Sequence, residues 1–321
     1  MDKQTIGQLE AALIESLGLT GEKTAKFFGK AKNIGSDDKL GGYQGVSSAN
    51  EGNMSLTEID LENQERILQN LHRYFPWVSI SVEERTKDPT DVQAEFYKND
   101  SDVLVQIDPI DGTFCYSEGK NDHYGAIASV LTRAEEGLGR FVLAVMYYPS
   151  LDGEFLIANP AGVFREKDGK RTQVSLDESK MLDGKFCTVW VYKEPGKHPQ
   201  GRLRIGMDNV KEHVDQRDIY ANTEWFRRLS NHEIPGFLTQ GGHINDHTVA
   251  AWMAQQWGAD VEYASGDKLD LVPFGDTLKS DESRDPPRDK KGLLIIGSKK
   301  NPNFKKYAEF YNERITQSQQ P

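Results

Sequence analysis

The apolar run DVLVQI (residues 102–107) passes without a break into Asp108-Pro109-Ile110-Asp111-Gly112-Thr113. No other junction constrains the chain as much. The run reads as a buried strand. A strand needs no Asp-Pro, and a surface turn needs no apolar lead-in. Pro109 fixes its own φ and biases Asp108 toward an extended backbone, which stiffens the crossing between the two acids. Gly112 permits close approach of the backbone to a ligand. A helix beginning at Gly112-Thr113 would turn free N–H groups to the same spot, an arrangement that suits a phosphate.

A second acidic pair, Glu83-Glu84, follows the alternating run WVSISV (77–82). Strand ends along one sheet edge are where open α/β folds gather their sites. Crowded carboxylates without counter-charge share protons or bind metal. An all-oxygen ligand set favours Mg²⁺, Mn²⁺ or Ca²⁺ over zinc. The residues alone leave two readings open: a hard-metal site, or a capped turn punctuated by Asp-Pro.

The formal charge of −11 argues against a nucleic-acid backbone or an anionic membrane as standing partner. It is compatible with a phosphorylated substrate if metal ions invert the local field. Cys115 and Cys187 are too few and too isolated for a disulfide framework or a cysteine zinc site. No apolar run approaches the ~20 residues that span a bilayer. The N-terminus, which lacks a basic segment before an apolar core, reads as an amphipathic helix. The expectation is a soluble, cytoplasmic protein in a reducing compartment. Its 321 residues, 37% hydrophobic and 28% charged, exceed one simple core and imply two lobes.

Ile6, Leu9, Leu13 and Leu17 recur at helical spacing, as do Leu61, Ile67, Leu68, Leu71 and Phe75, with Thr57 or Asp60 as caps for the second helix. Between them, residues 29–53 carry repeated reversal signals and read as a long loop, a lid in the functional reading. From residue 77 the period changes. Strands are expected at WVSISV, DVLVQI, AIASVLT, RFVLAVMYYP and EFLIANPAGVF, spaced like a meander. The polar stretch 170–185 marks a boundary. Beyond it come FCTVWVY as a strand, helical pieces over 208–231, GFLTQ as a strand, a helix over 246–258, a charged loop over 273–290, the strand KGLLIIG and a final helix. The expected division is an N-terminal α+β lobe, residues 1–185, and a C-terminal α/β lobe, residues 186–321.

The hexapeptide DPIDGT, with VEE at 82–84 and TEID at 57–60, resembles the inositol monophosphatase family of metal-dependent phosphatases. Asp246 opens a helix rich in small residues and reaches Gly258-Ala259 twelve residues on, similar to that family's third motif. The resemblance spans roughly residues 50–310. It implies a layered αβαβα sandwich, a homodimer and hydrolysis of a small phosphorylated metabolite. It implies one Mg²⁺ held by Glu83, Asp108 and the Ile110 carbonyl, and a second held by Asp108, Asp111 and Asp246, roughly 4 Å from the first. Glu83 would also face a loosely held third ion, and Mn²⁺ fits the same ligands. Thr113, hydrogen-bonded to Asp60, would orient the attacking water, and the N–H groups of Gly112 and Thr113 would hold phosphate oxygens. Glu84 would support the ligands from behind.

The chain departs from the family where substrate is contacted. Cys115-Tyr116 stand for the usual Asn-Phe, and Asn245 stands for a Trp. Tyr220-Ala221-Asn222 and Thr239 replace the ring-contacting Gly-Ser/Thr-Ala stretch and Glu. The expected substrate is therefore a small polyol, sugar or related phosphate other than myo-inositol phosphate. A nucleotide 3′-phosphatase is the alternative, with Arg227-Arg228 meeting a second phosphate. A metal-binding regulatory homologue without turnover is the alternative from another class, and the intact acidic set argues against it. His123, His243 and His247 cluster in sequence near the motifs, His247 being a candidate substrate contact, and Lys32 and Lys39 in the long loop are candidates to close over phosphate. His247 reads first as a satisfied residue at a helix start, and Cys115 is not expected to act as a nucleophile.

Overall fold

In the computed structural model, which describes residues 1–31, 57–84, 90–119, 124–188, 221–240, 247–274 and 292–318, the apolar run is β2 (Val103–Asp111). All nine of its residues are buried. The strand continues three residues beyond the expected end at Asp108. Its pairing with β3 (Gly125–Glu135) shifts register between Asp108 and Asp111. Pro109 sits in that irregularity, where a residue without an N–H removes no ladder bond.

The first sheet runs in the order β1 (Ser79–Val82), β2, β3, β4 (Leu138–Tyr148), β5 (Glu154–Asn159), β6 (Gly162–Lys167), β7 (Lys170–Gln173). Only β1 and β2 are parallel among these neighbours. Between them the chain passes through a short helix, α4 (Asp91–Phe96), which the sequence reading did not anticipate. The stretch EFLIANPAGVF divides into β5 and β6. The Asn159 side chain accepts from the Ala161 N–H at 2.9 Å, closing a turn at Pro160-Ala161. From the second half of the chain, β11 (Val272–Pro273) pairs with the start of β4.

The second sheet has the order β10 (Asp260–Tyr263), β12 (Leu293–Gly297), β9 (Phe237–Gln240), β8 (Cys187–Thr188). Its helices are α6 (Asn222–Ser230), α7 (Val249–Trp257) and α8 (Pro302–Ser318).

Period-2 alternation then builds the layers. Val105, Ile107, Val130 and Val145 turn to one face of the first sheet. There they meet Leu9, Leu13 and Leu17 of α1 (Lys3–Gly18), and Ile67, Leu68 and Leu71 of α3 (Glu58–Tyr74). Leu104, Ile127, Leu131 and Met146 turn the other way, against Trp225 and Phe226 of α6 and Val249 and Met253 of α7. On the far side of those helices lie Phe237, Leu294 and Ile296 of the second sheet. Leu293 and Ile295 face outward to Phe304, Tyr307 and Tyr311 of α8. The sequence of layers is helix, sheet, helix, sheet, helix: the αβαβα sandwich.

Trp225 bridges the middle layer to the second sheet. It is fully buried, and its ring stacks on Phe237 with centroids 4.5 Å apart and planes 7° from parallel. Trp225→Ala is therefore expected to cost about 3–5 kcal/mol, read as a lower midpoint in urea denaturation. A loss below about 1 kcal/mol would mean that this packing does not join the layers.

Candidate active site

The carboxyl end of β2 collects its functional groups from three helices. The first is α3. Its N-cap is Thr57, and the reciprocal capping box with Asp60 is complete: the Thr57 N–H donates to Asp60 Oδ2 at 2.8 Å and the Asp60 N–H donates to Thr57 Oγ1 at 3.3 Å. These bonds satisfy two orphan donors of the helix start. They also fix a buried carboxylate whose other oxygen, Oδ1, lies 3.1 Å from the Thr113 hydroxyl. That hydroxyl is also 2.8 Å from the Ile110 carbonyl. It has one proton, which serves one acceptor at a time, while its lone pairs stay available to accept.

One turn further along α3, Gln64 clasps the backbone after β1. Its Nε2 donates to the Glu84 carbonyl at 2.7 Å, and its Oε1 accepts from the Glu84 N–H at 3.1 Å. The Glu83 N–H donates to the Ile107 carbonyl at 3.0 Å. The Glu83-Glu84 pair is thereby docked against the end of β2, with Glu84 buried and Glu83 half-buried.

The second helix is α5 (Thr113–Ser117), which begins directly after the hexapeptide. Gly112 has φ +87°, a left-handed conformation that a side chain would strain. Its carbonyl accepts from the Tyr116 N–H at 3.0 Å, closing the turn. Before it, the Ile110 N–H donates to Asp108 Oδ1 at 3.1 Å, a local loop that holds the Asp108 carboxylate beside Pro109. Asp108 and Asp111 are both buried.

The third helix is α6, whose N-cap residue, Ala221, has no side-chain hydrogen bond to offer. Asp111 caps it instead. Its Oδ2 accepts from the Thr223 N–H at 2.6 Å and from the Thr223 hydroxyl at 2.8 Å. Its Oδ1 accepts from Asn222 Nδ2 at 3.2 Å. Burial raises the Asp111 pKa above the ordinary carboxylate value, and the donors from Thr223 and Asn222 oppose that rise. A buried carboxyl met by neutral donors is a group that a cation would hold ionised. The candidate ligand atoms, the carboxylates of Glu83, Asp108 and Asp111 and the Ile110 carbonyl, are oxygens throughout, so the residues fit a hard divalent ion.

The structure thus brings Asp60 to Thr113, and seats Glu83, Asp108, Ile110, Asp111 and Gly112 around the end of β2. Asp246 lies outside the described residues, as do His123, His243, Lys32, Lys39 and residues 32–53 of the expected lid. Among the described residues, no three His, Cys, Asp or Glu side chains converge closely enough to hold a metal by themselves. Cys115 and His247 are buried. Arg227 faces Glu233 at 3.8 Å and Arg228 faces Glu224 at 2.8 Å. Sequence reasoning missed Gln64 and Thr223, and treated Asn222 only as a departure from the family. A polar residue inside an apolar helix face marks Gln64, but nothing local points Thr223 at a strand end more than a hundred residues away.

The family model described as the inositol monophosphatase family matches residues 8–272. An inositol monophosphatase of Dictyostelium discoideum is 25% identical over 241 residues, covering 75% of this chain and 81% of that protein. A solved IMPase from Thermotoga maritima shares 18% identity at a TM-score of 0.63, with 99% of each chain covered. A solved IMPase/NADP phosphatase complexed with Mg²⁺ and phosphate shares 14% identity at a TM-score of 0.61, covering 96% of this chain and 95% of the other. At these identities the two structures speak for the fold, while the family match takes in Asp60, Glu83-Glu84 and the whole hexapeptide. The chain belongs to the inositol monophosphatase family, whose members are phosphoric monoester hydrolases.

Proposed function

We propose that this family member is a Mg²⁺-dependent phosphomonoesterase acting on a small polyol, sugar or related phosphate. The observation that carries the reading is Asp111: a buried carboxylate at a strand end, beside Asp108, its pKa raised by burial. The related IMPase/NADP phosphatase with Mg²⁺ and phosphate supports it. Glu83, Asp108, the Ile110 carbonyl and Asp111 would hold the ions, with Asp246 completing the set and two or three ions per site. The bound ions would supply charge to lower the pKa of a water and to neutralise phosphate oxygens.

This chain's own groups do the rest. The Thr113 proton goes to Asp60 or to the Ile110 carbonyl, so a water at this position meets the hydroxyl oxygen as an acceptor and is turned by it. The N–H groups of Gly112 and Thr113 hold phosphate oxygens where negative charge grows. Asp60 keeps Thr113 in place and is itself locked by the capping box of α3, so the orientation costs no reorganisation during turnover.

The substrate side supports a ligand other than myo-inositol phosphate. Asn222 occupies a ring-contacting position in the resemblance. Its amide is committed on one side to Asp111 and on the other to the Trp225 indole N–H, 3.0 Å away. Arg227 and Arg228 each face a glutamate, which weakens the nucleotide 3′-phosphatase alternative.

Release of inorganic phosphate from a panel of small phosphate esters is expected with Mg²⁺ and lost with EDTA; absence of turnover on every ester under Mg²⁺ would overturn the reading. Adenosine 3′,5′-bisphosphate belongs in that panel, since a preference for it would restore the alternative. Asp111→Asn is expected to lower kcat about 100-fold or more. The same change should cost no more than about 1–2 kcal/mol of stability, the value of a helix cap. An unchanged kcat would remove Asp111 from the ligand set.

A further inference from the structure

Asp111 is gripped unevenly. Both Thr223 donors go to the same oxygen, Oδ2, and a carboxylate oxygen has two in-plane lone pairs to give. Oδ2 is thereby saturated. Oδ1 takes a longer bond, from Asn222 Nδ2 at 3.2 Å, with the Asn222 N–H also turned to the carboxylate, and is the more loosely held of the two oxygens. From this geometry we infer that Thr223 is a positioning residue: its N–H and O–H turn the Asp111 carboxylate so that Oδ1 is the oxygen offered to a divalent cation. The inference rests on the metal-dependent reading above and deepens it.

Thr223 is built to stay in place. It is fully buried. Its own carbonyl accepts from the Tyr148 hydroxyl at 2.9 Å, and Tyr148 lies almost entirely inside the core. The residue is therefore braced from β4 on one side while it holds Asp111 on the other. The gap it occupies is prepared by Gly125, which pairs with Asp111 across β2 and β3. A Cβ at position 125 would lie 2.9 Å from Thr223 Cγ2 and 2.8 Å from the Tyr147 carbonyl, contacts that would push α6 away from the strand end. A tyrosine and a glycine from two strands thus keep Thr223 in place, and Thr223 alone grips the carboxylate oxygen.

A group that orients a metal ligand is worth about 10–100-fold in metal affinity. The test is the Mg²⁺ dissociation constant of the metal-free protein by calorimetry, for the parent, Thr223→Val and Thr223→Ser, with kcat and KM for one hydrolysed ester at saturating Mg²⁺. Valine keeps the shape and deletes the O–H; serine restores it. The expected result is a dissociation constant raised about 10-fold or more in the valine variant. Serine should return it to within about 2-fold of the parent, and the KM for the ester should stay unchanged throughout. A valine variant that binds Mg²⁺ as the parent does would overturn the inference while leaving the phosphatase reading intact. A serine variant as weak as valine would overturn it too, because the loss would then follow shape rather than the hydroxyl. If the valine variant does not fold, Tyr148→Phe decides: it removes the brace and should weaken Mg²⁺ binding in the same direction, and parent-like affinity there would sink the proposal. A parent that neither binds Mg²⁺ nor turns over ester would remove the phosphatase reading and this inference together.

Discussion

A carboxyl group taken out of water stays ionised only if donors or cations meet it, and Asp111 is such a group where the first sheet touches the middle helices. Burial pushes its pKa up while the start of α6 pulls it down. The bonds that moderate its charge also satisfy the Thr223 N–H in the first turn of α6, whose N-cap residue offers no side-chain acceptor. That helix carries Trp225 and Phe226 into the core between the sheets. The seating of the central layer and the orientation of a candidate metal ligand are therefore one interaction. A shift of α6 would move the carboxylate, and a change at the carboxylate would loosen the helix.

The opposite flank is organised the same way at shorter range. Asp60 belongs to a helix cap, where Thr57 and Asp60 satisfy each other's backbone, and its other oxygen, Oδ1, reaches across to Thr113. Gln64, one turn on, holds the backbone of Glu84 from both sides. Structural satisfaction comes first: the cap that α3 requires turns Asp60 Oδ1 to Thr113, and the Gln64 clasp fixes the Glu84 backbone beside the end of β2. Preorganisation of this sort lets catalytic electrostatics operate without rearrangement.

Much of this was legible in the sequence wherever the determining contacts are local. The capping of α3 shows in Thr57-x-x-Asp60, because cap and partner are three residues apart. The switch from helical to alternating period near residue 77 shows the first sheet. The five-layer order came from resemblance, since no periodicity states which helix covers which face. The extension of β2 through Pro109 was not legible: proline normally ends such a run, and only the register shift against β3 admits it. The split of β5 from β6 turned on a single Asn159 hydrogen bond. The grip of Thr223 on Asp111 spans 112 residues, and Asn222-Thr223 reads in sequence as an ordinary helix start.

The central claim is that the end of β2 is a cation site built on Asp108 and Asp111. The most direct measurement is anomalous scattering from crystals of the full chain soaked in Mn²⁺. The account predicts anomalous peaks with Asp108, Asp111 and Glu83 oxygens at about 2.0–2.6 Å, and Asp246 reaching the same ions. Mn²⁺ found only elsewhere, or Asp246 placed away from the 108–113 segment in such a map, would contradict it.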